Sequence, residues 1–499
     1  MEMTPEQYWS SHEHRRHTPG VPEAPEWGHY RTLPARRVKE TGNRLRFCAL
    51  MDKAWLVMLH RKGHVSDEDV RRLFPVLAEA DAEHGWGGED WIRAKLGGDE
   101  ATAFAVNHGR TLQEPMARMM MREALLYAFD ELLPALETTL DLADEHADVL
   151  MAGHSHWAHA QPTTWGAYLL AVHDGLSRGL EQLELAYRHT NMNSGGCGAC
   201  SGARWDVDRE LITDLLGFDE TIEPAYDCEA SQDEMLTIMF AASNIAVTLS
   251  RVTLDLNVWV TEEWDIFEVD MAWRGVSSFM PHKANAGNLF EHVRMASNDV
   301  LGRMQTVLLS FKNEPLQDIL PVYKADAYVL EGLAHLERCL GIFRGVLPNA
   351  RPRGARMWEL VREGYSGSVD LAIRIVKERG FGGRSAHRIC CTMVRIARER
   401  GIKPWECTGA LLDEAARISG DPEPNLSDEA VQYDMCLEHF HESPCNLGDP
   451  KPEETRRLVA KRRGALQDAR GRQQGRRDRI SAAMERLQAE IDAIMEATG

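Results

Sequence analysis

No stretch of this 499-residue chain strings together the roughly 18–20 apolar residues that a bilayer-spanning helix needs. The first residues, MEMTPEQYWSSHEHRRH, are polar, so no secretory leader is expected and the reading is a soluble, cytoplasmic protein without membrane partners. Basic residues are in deficit: 57 Lys and Arg face 77 Asp and Glu, a net charge of -20. The averaged field of such a chain repels nucleic acid and anionic membranes, though it says nothing about a local anion pocket. The ten cysteines lack the compact, even spacing of a disulfide framework, which points to reduced thiols. Cys197 and Cys200 do have CxxC spacing, yet no second ligand pair or thioredoxin-like strand accompanies them, so neither zinc nor redox use is expected. The surrounding GGCGACSG mimics a dinucleotide fingerprint, but no apolar strand precedes it.

Long helical periodicities are what the chain does have. From Met116 to Leu150, residues Leu125, Phe129, Leu132, Leu136 and Leu140 recur at three- and four-residue steps, with Pro134 expected to kink the helix. Similar patterns run from Tyr168 to Tyr187, Met235 to Val260 and Leu289 to Phe311. Helices this long suit an elongated bundle whose extra apolar faces pack against other subunits. The expected fold class is therefore all-α. An elongated central helical bundle (106–350) lies between a smaller N-terminal helical domain (1–105) and a C-terminal one (351–499). The tail from Lys451 to Arg479 is basic; interleaved acids and missing aromatics favour a solvated helix face over nucleic-acid binding.

The segment Gly275–Asn288, GVSSFMPHKANAGN, breaks this periodicity and concentrates polar groups in one short loop. Composition alone allows an ordinary polar turn. Aligned on the serine pair, however, it resembles the GSSxMPxKxNP signature loop of the aspartase/fumarase superfamily, with Ser277, Ser278, Met280, Pro281, Lys283 and Asn285 on signature positions. Val276 and Ala286 depart from the pattern. A second segment, MAGHSHWAHAQPTTWG from Met151, has three histidines (His154, His156 and His159) but no carboxylate or cysteine spaced to complete a metal site. It is similar to the GYTHLQxAQP region of argininosuccinate lyases, matching at Gly153, Ser155, His156, Ala160, Gln161 and Pro162. A third, Asn107–Glu114, keeps Gly109, Arg110 and Thr111 of that branch's GRSRND-like turn, with Leu112 and Gln113 substituted. Similarity continues through Asn191–Phe218 and Ser368–Gly401.

The resemblance implies a homotetrameric lyase whose three motif regions meet from three subunits, and a β-elimination releasing fumarate from a small substrate with a dicarboxylate portion. It implies Ser277 as base and Ser155 and His156 as proton-handling or carboxylate-binding partners. Substrate binding would fall to Lys283, Asn285, Ser278, Thr111, Gln113, Arg110 and Gln161, with no metal or organic cofactor. Two substrate-reading segments depart from the argininosuccinate lyase pattern. One is AYDCEASQDE from Ala225; the other is the stretch after Pro315-Leu316, where Tyr323, Lys324 and Asp326 fall out of register. A succinyl-type substrate other than argininosuccinate is expected. Authentic argininosuccinate cleavage, a nitrosuccinate-type lyase and an inactive crystallin-like structural protein are the alternatives.

Overall fold

The computed structural model describes residues 26–82, 88–110, 115–277, 279–442 and 445–498. Helices α1 (Glu26–Thr41), α2 (Arg44–Arg61) and α3 (Asp67–Ala82) precede the long α4 (Met116–Glu145). Strands β1 (Leu150–Ser155) and β2 (Ala158–Thr164) form a hairpin leading into α5 (Trp165–Thr190). Two short helices, α6 (Arg209–Leu216) and α7 (Ala225–Ala230), precede α8 (Glu234–Trp259). After β3 (Gly275–Val276) and β4 (Ala284–Asn285) come α9 (Asn288–Phe311) and α10 (Asp326–Val346). The all-α bundle is thus present, and α4, α5, α8 and α9 fall where the apolar spacing places them. A fifth long helix, α10, completes the bundle by packing on α4, α8 and α9.

Leu125, Phe129, Leu132, Leu136 and Leu140 all face the core, and α4 runs without a break through Pro134. Buried polar groups fix how its neighbours sit. Arg118 and Glu234 form a buried ion pair at 2.8 Å that ties the start of α4 to the start of α8. Arg122 donates to Asn191 Oδ1, Leu216 O and Gly217 O, each at 3.0 Å, pinning the 191–217 segment to α4. Burial of such a guanidinium is tolerable because several acceptors converge on it.

Helix α8 corrects one expectation. Among the described residues it is the one helix long and apolar enough, by length and composition, to cross a bilayer. It packs instead against α5, α9 and α10 at the centre of the bundle. Its remaining apolar surface lies on one stripe: Phe240, Val247 and Leu254, at seven-residue steps, are 58%, 40% and 38% exposed. Seven residues make about two helical turns, so the three share a face. On α9, Met295, Leu308 and Leu309 are also exposed.

Beyond the bundle, α11 (Gly354–Glu363), α12 (Ser368–Arg379), α13 (Gly383–Arg400), α14 (Gly409–Ser419) and α15 (Asp428–Cys436) follow in turn. Leu371, Ile375, Ile389, Met393, Leu412 and Val431, from α12 to α15, share a separate core. The chain ends in the 47-residue α16 (Pro452–Thr498). Its basic residues are not simply solvated. Arg462 pairs with Asp174, Arg463 with Asp141, Arg470 with Glu137 and Arg472 with Glu184, while Val459, Leu466, Leu487, Ile491 and Ile494 join the main core. The basic run is therefore the complement of an acidic face on α4 and α5.

These pairs predict an acid response. Hydrogen bonds from Arg470 hold the Glu137 carboxyl below its usual range, and those from Arg462 and His173 do the same for Asp174 by outweighing the upward push of its burial. A carboxyl depressed in the folded state contributes stability that is full above its unfolded value near 4 and is lost as pH falls towards the folded one. Amide protection factors in α16, with the intrinsic pH dependence of exchange divided out, are therefore expected to fall as pH drops below about 4, ahead of those in α8. Equal acid sensitivity of the two helices would contradict this.

Candidate functional site

The hairpin carries the histidine motif, a conformation that a helical reading of the chain passes over. Ser155 pairs with Ala158, leaving His156 and Trp157 as a two-residue turn with φ of 53° and 64°. A turn of this kind requires positive φ at both central positions, which Asn and Gly adopt most easily. Here an imidazole and an indole are held there, both exposed at the tip. His154 anchors the base, its ring 5.1 Å from that of Trp264 and 6.4 Å from that of Trp259. The Thr164 hydroxyl accepts from the Ala167 N–H at 3.1 Å and caps α5. Gly166 lets α5 close on the end of α4: a Cβ there would lie 2.5 Å from Ala143 O. Burial lowers the His154 and His159 pKa values, so both rings stay neutral, while Ser155, His156 and Gln161 are exposed on the hairpin.

The signature-like loop is a second hairpin, with shorter strands and a longer connection. Gly275 pairs with Asn285 and Val276 with Ala284, and the Ser277 N–H donates to Lys283 O at 3.2 Å. Inside it the N–H groups of Phe279 and Met280 donate to Ser277 Oγ at 3.2 and 2.9 Å. Two backbone donors on one hydroxyl oxygen favour negative charge there. Asn285 Oδ1 accepts from the Gly287 N–H at 3.2 Å, which orients the carboxamide with its NH₂ available to donate. Lys283 is exposed, and Phe279 stands out at 89% exposure.

The motif regions do not all share one end of the chain. The second hairpin leads into α9 beside Asn257 of α8, and the ring of Trp259, at the end of α8, is 6.4 Å from that of His154. Both hairpins therefore sit where α8 ends. Asn107–Arg110 precedes α4, at the opposite end, where Arg118 meets Glu234. The 30 residues of α4 rise about 45 Å at about 1.5 Å each. A single chain keeps the Arg110 region a bundle-length away from Ser277 and His156.

Arg110 is held within the chain. Its guanidinium is buried against Asp52, also buried, and its Nε donates to Val106 O at 3.1 Å. Gly109 precedes it at φ 78°, with Trp205 so close that a Cβ would meet the indole at 3.0 Å. Arg110 thus holds the turn from inside, away from solvent. Thr111, Gln113 and Ser278 lie outside the described residues. Removing one partner of a buried pair strands the other charge, so Asp52→Ala is expected to cost about 3–5 kcal/mol in urea unfolding. A change under about 1 kcal/mol would show that Arg110 is held by its other contacts.

The spacing of motifs passes over a cluster at the α4-start end. Cys228 and Glu229 of α7 lie with Ser194, Arg118 and Tyr323 around a cavity of about 20 Å³. Tyr226 OH donates to Leu316 O at 2.9 Å, so the two segments that depart from the argininosuccinate lyase pattern touch. The Tyr323 hydroxyl accepts from Arg44, which also pairs with Asp326. Among the described residues no group of three His, Cys, Asp or Glu side chains is placed to hold a metal ion.

A family model described as Lyase matches residues 89–302. The argininosuccinate lyase of Methanothrix thermoacetophila is 28% identical over 469 residues, 90% of this chain and 93% of that one. The argininosuccinate lyase of Methanothermobacter thermautotrophicus is 31% identical over 357 residues, 69% of this chain and 74% of that one. Among solved structures, EDDS lyase in complex with formate has a TM-score of 0.87 at 24% identity, covering 96% of this chain and 97% of that one. The class II fumarase of Schistosoma mansoni has a TM-score of 0.66 at 13% identity, covering 85% and 97%. At these identities the two structures speak to the fold alone.

Proposed function

The chain belongs to the argininosuccinate lyase-like branch of the aspartase/fumarase superfamily, and on that premise we propose that it is a C–N lyase releasing fumarate from an N-substituted succinate by β-elimination. The observation that carries the reading is the Ser277 hydroxyl under two backbone N–H donors. Elimination beside a carboxylate needs a base for a weakly acidic C–H proton and donors for the charge that builds on the carboxylate. A serine is a poor base unless its alkoxide is stabilised, and the Phe279 and Met280 N–H groups supply that stabilisation, with Lys283 adding positive charge. Lys283 and Asn285 hold the carboxylate; Ser155 and His156, lifted on the strained hairpin tip, hold the succinyl half or return a proton to the departing nitrogen. Thr111, Gln113, Gln161 and Ser278 complete the binding set.

The working form is an oligomer with shared sites. The bundle-length between Arg110 and Ser277 requires a second chain to bring an Asn107–Glu114 turn to a signature loop. The apolar stripe on α8, with Met295 and Leu309 on α9, offers the face on which copies pack; a homotetramer built on these helices is the proposed assembly.

The substrate is a succinate bearing a leaving amine other than arginine. Support comes from the small cavity at the α4-start end and from Tyr323, which is engaged by Arg44. The test is a panel of N-substituted succinates followed by fumarate absorbance. Turnover of one or more non-arginine members is expected. Turnover of argininosuccinate well above all others would overturn the substrate reading, and fumarate from none would overturn the lyase.

A further inference from the structure

Two cysteines at the α4-start end take no part in the elimination. Cys197 and Cys228 are 0% and 4% exposed and share an apolar cluster with Ile222. The Cys197 Sγ lies 3.3 Å from Oε1 of Glu229, the residue that follows Cys228. Arg209 Nη2 lies 3.2 Å from Cys228 Sγ. That guanidinium is fixed independently, by Gly195 O at 2.8 Å and Ile222 O at 2.6 Å, so it is delivered to the sulfur by the backbone around it. The cluster that holds Cys197 and Cys228 does not include Cys200, the other half of the CxxC spacing.

We propose that Cys197 and Cys228 are an oxidisable dithiol that closes to a disulfide under hydrogen peroxide. The thiolate is the reactive form of cysteine, and a neighbouring hydrogen bond and cation favour it. Here the Cys197 side chain, followed by Arg209, outweighs burial and holds the Cys228 thiol below its ordinary value. Burial pushes the Glu229 carboxyl up, which lessens its repulsion of a thiolate beside it. Access is selective by size. Cys228 lines the cavity of about 20 Å³, which has room for about one water-sized molecule, so peroxide enters where a peptide disulfide does not.

The steps balance. The Cys228 thiolate attacks one peroxide oxygen, the O–O bond breaks, and the departing hydroxide takes a proton to leave as water, giving a sulfenic acid. Cys197 sulfur then attacks Cys228 sulfur; the S–O bond breaks, the hydroxide takes the Cys197 proton, and a second water leaves as the S–S bond forms. Two thiols are oxidised and one peroxide is reduced to two waters. None of this depends on the lyase reading.

The experiment treats the full-length protein with hydrogen peroxide, alkylates the remaining thiols and maps peptides by mass spectrometry. A cross-link between the Cys197 and Cys228 peptides is expected, reversed by dithiothreitol, with oxidised glutathione at least about tenfold slower. In Cys197→Ala no resolving thiol is present, so Cys228 slowly gains oxygen, read as added mass on its peptide after unfolding, and no cross-link forms; Cys228→Ser likewise forms no cross-link. A Cys197–Cys200 link, or a Cys228 still fully alkylated after peroxide, would overturn the proposal. Because the readout is a covalent bond, it stands whether or not any succinate is turned over.

Discussion

Ser277→Ala lowers fumarate release by about 10²–10⁴-fold, the range that loss of a positioned proton-transfer group produces. On the proposed mechanism the loss falls in kcat, because the Ser277 oxygen takes the substrate's proton only as the C–H bond breaks, whereas Lys283 and Asn285 would continue to hold the carboxylate. The fold tolerates the change. Ser277 is partly exposed, and its backbone N–H keeps its bond to Lys283 O. The oligomer and the thermal midpoint therefore stay close to the parent's, which separates lost chemistry from lost structure. Measured with the best substrate of the panel, a variant with parental kcat would remove Ser277 from the reaction. Lys283→Met is the informative partner, since it takes away charge at the carboxylate and should raise KM as well as lower kcat.

Phe240→Asp combined with Val247→Asp is expected to dissociate the proposed assembly and with it to remove nearly all activity. Both side chains are exposed in the single chain, so two carboxylates there cost the isolated fold little. In an interface between copies the same carboxylates are buried without partners, at several kcal/mol each. Sedimentation velocity is expected to show a single-chain species with parental helicity by circular dichroism. Its fumarate release should approach background, because each isolated chain keeps the Arg110 turn and its own signature loop at opposite ends of the bundle. A stable, fully active single-chain species would contradict shared sites.

Helix α4 and the three other early-recognised helices were legible because their buried faces repeat at helical spacing. Leu125 to Leu140 are in the core where that spacing puts them. The α10 helix was passed over, although Val329, Leu333, Leu336 and Leu340 have the same rhythm. The hairpin around His156 was illegible for a physical reason: its turn uses His and Trp at positive φ, where turn chemistry leads one to look for Asn-Gly. The Arg110–Asp52 pair is illegible in the sequence, because a motif position does not reveal whether a guanidinium faces solvent or a buried carboxylate. Cys197 and Cys228 stand 31 positions apart in the chain, too far for any local spacing to relate them. Spacing reports on local neighbours; the dithiol and the α16 pairs are made by tertiary contacts.

The last helix also bears on how the protein is made. Arg61 of α2 pairs with Glu490 of α16 across 429 positions, and Ile491 and Ile494 belong to the same core as Trp55 and Leu56. These early helices thus wait for partners that are synthesised far later. Until then the apolar surface they will share is uncovered, and chains released early present a sticky, unfinished face to chaperones and proteases.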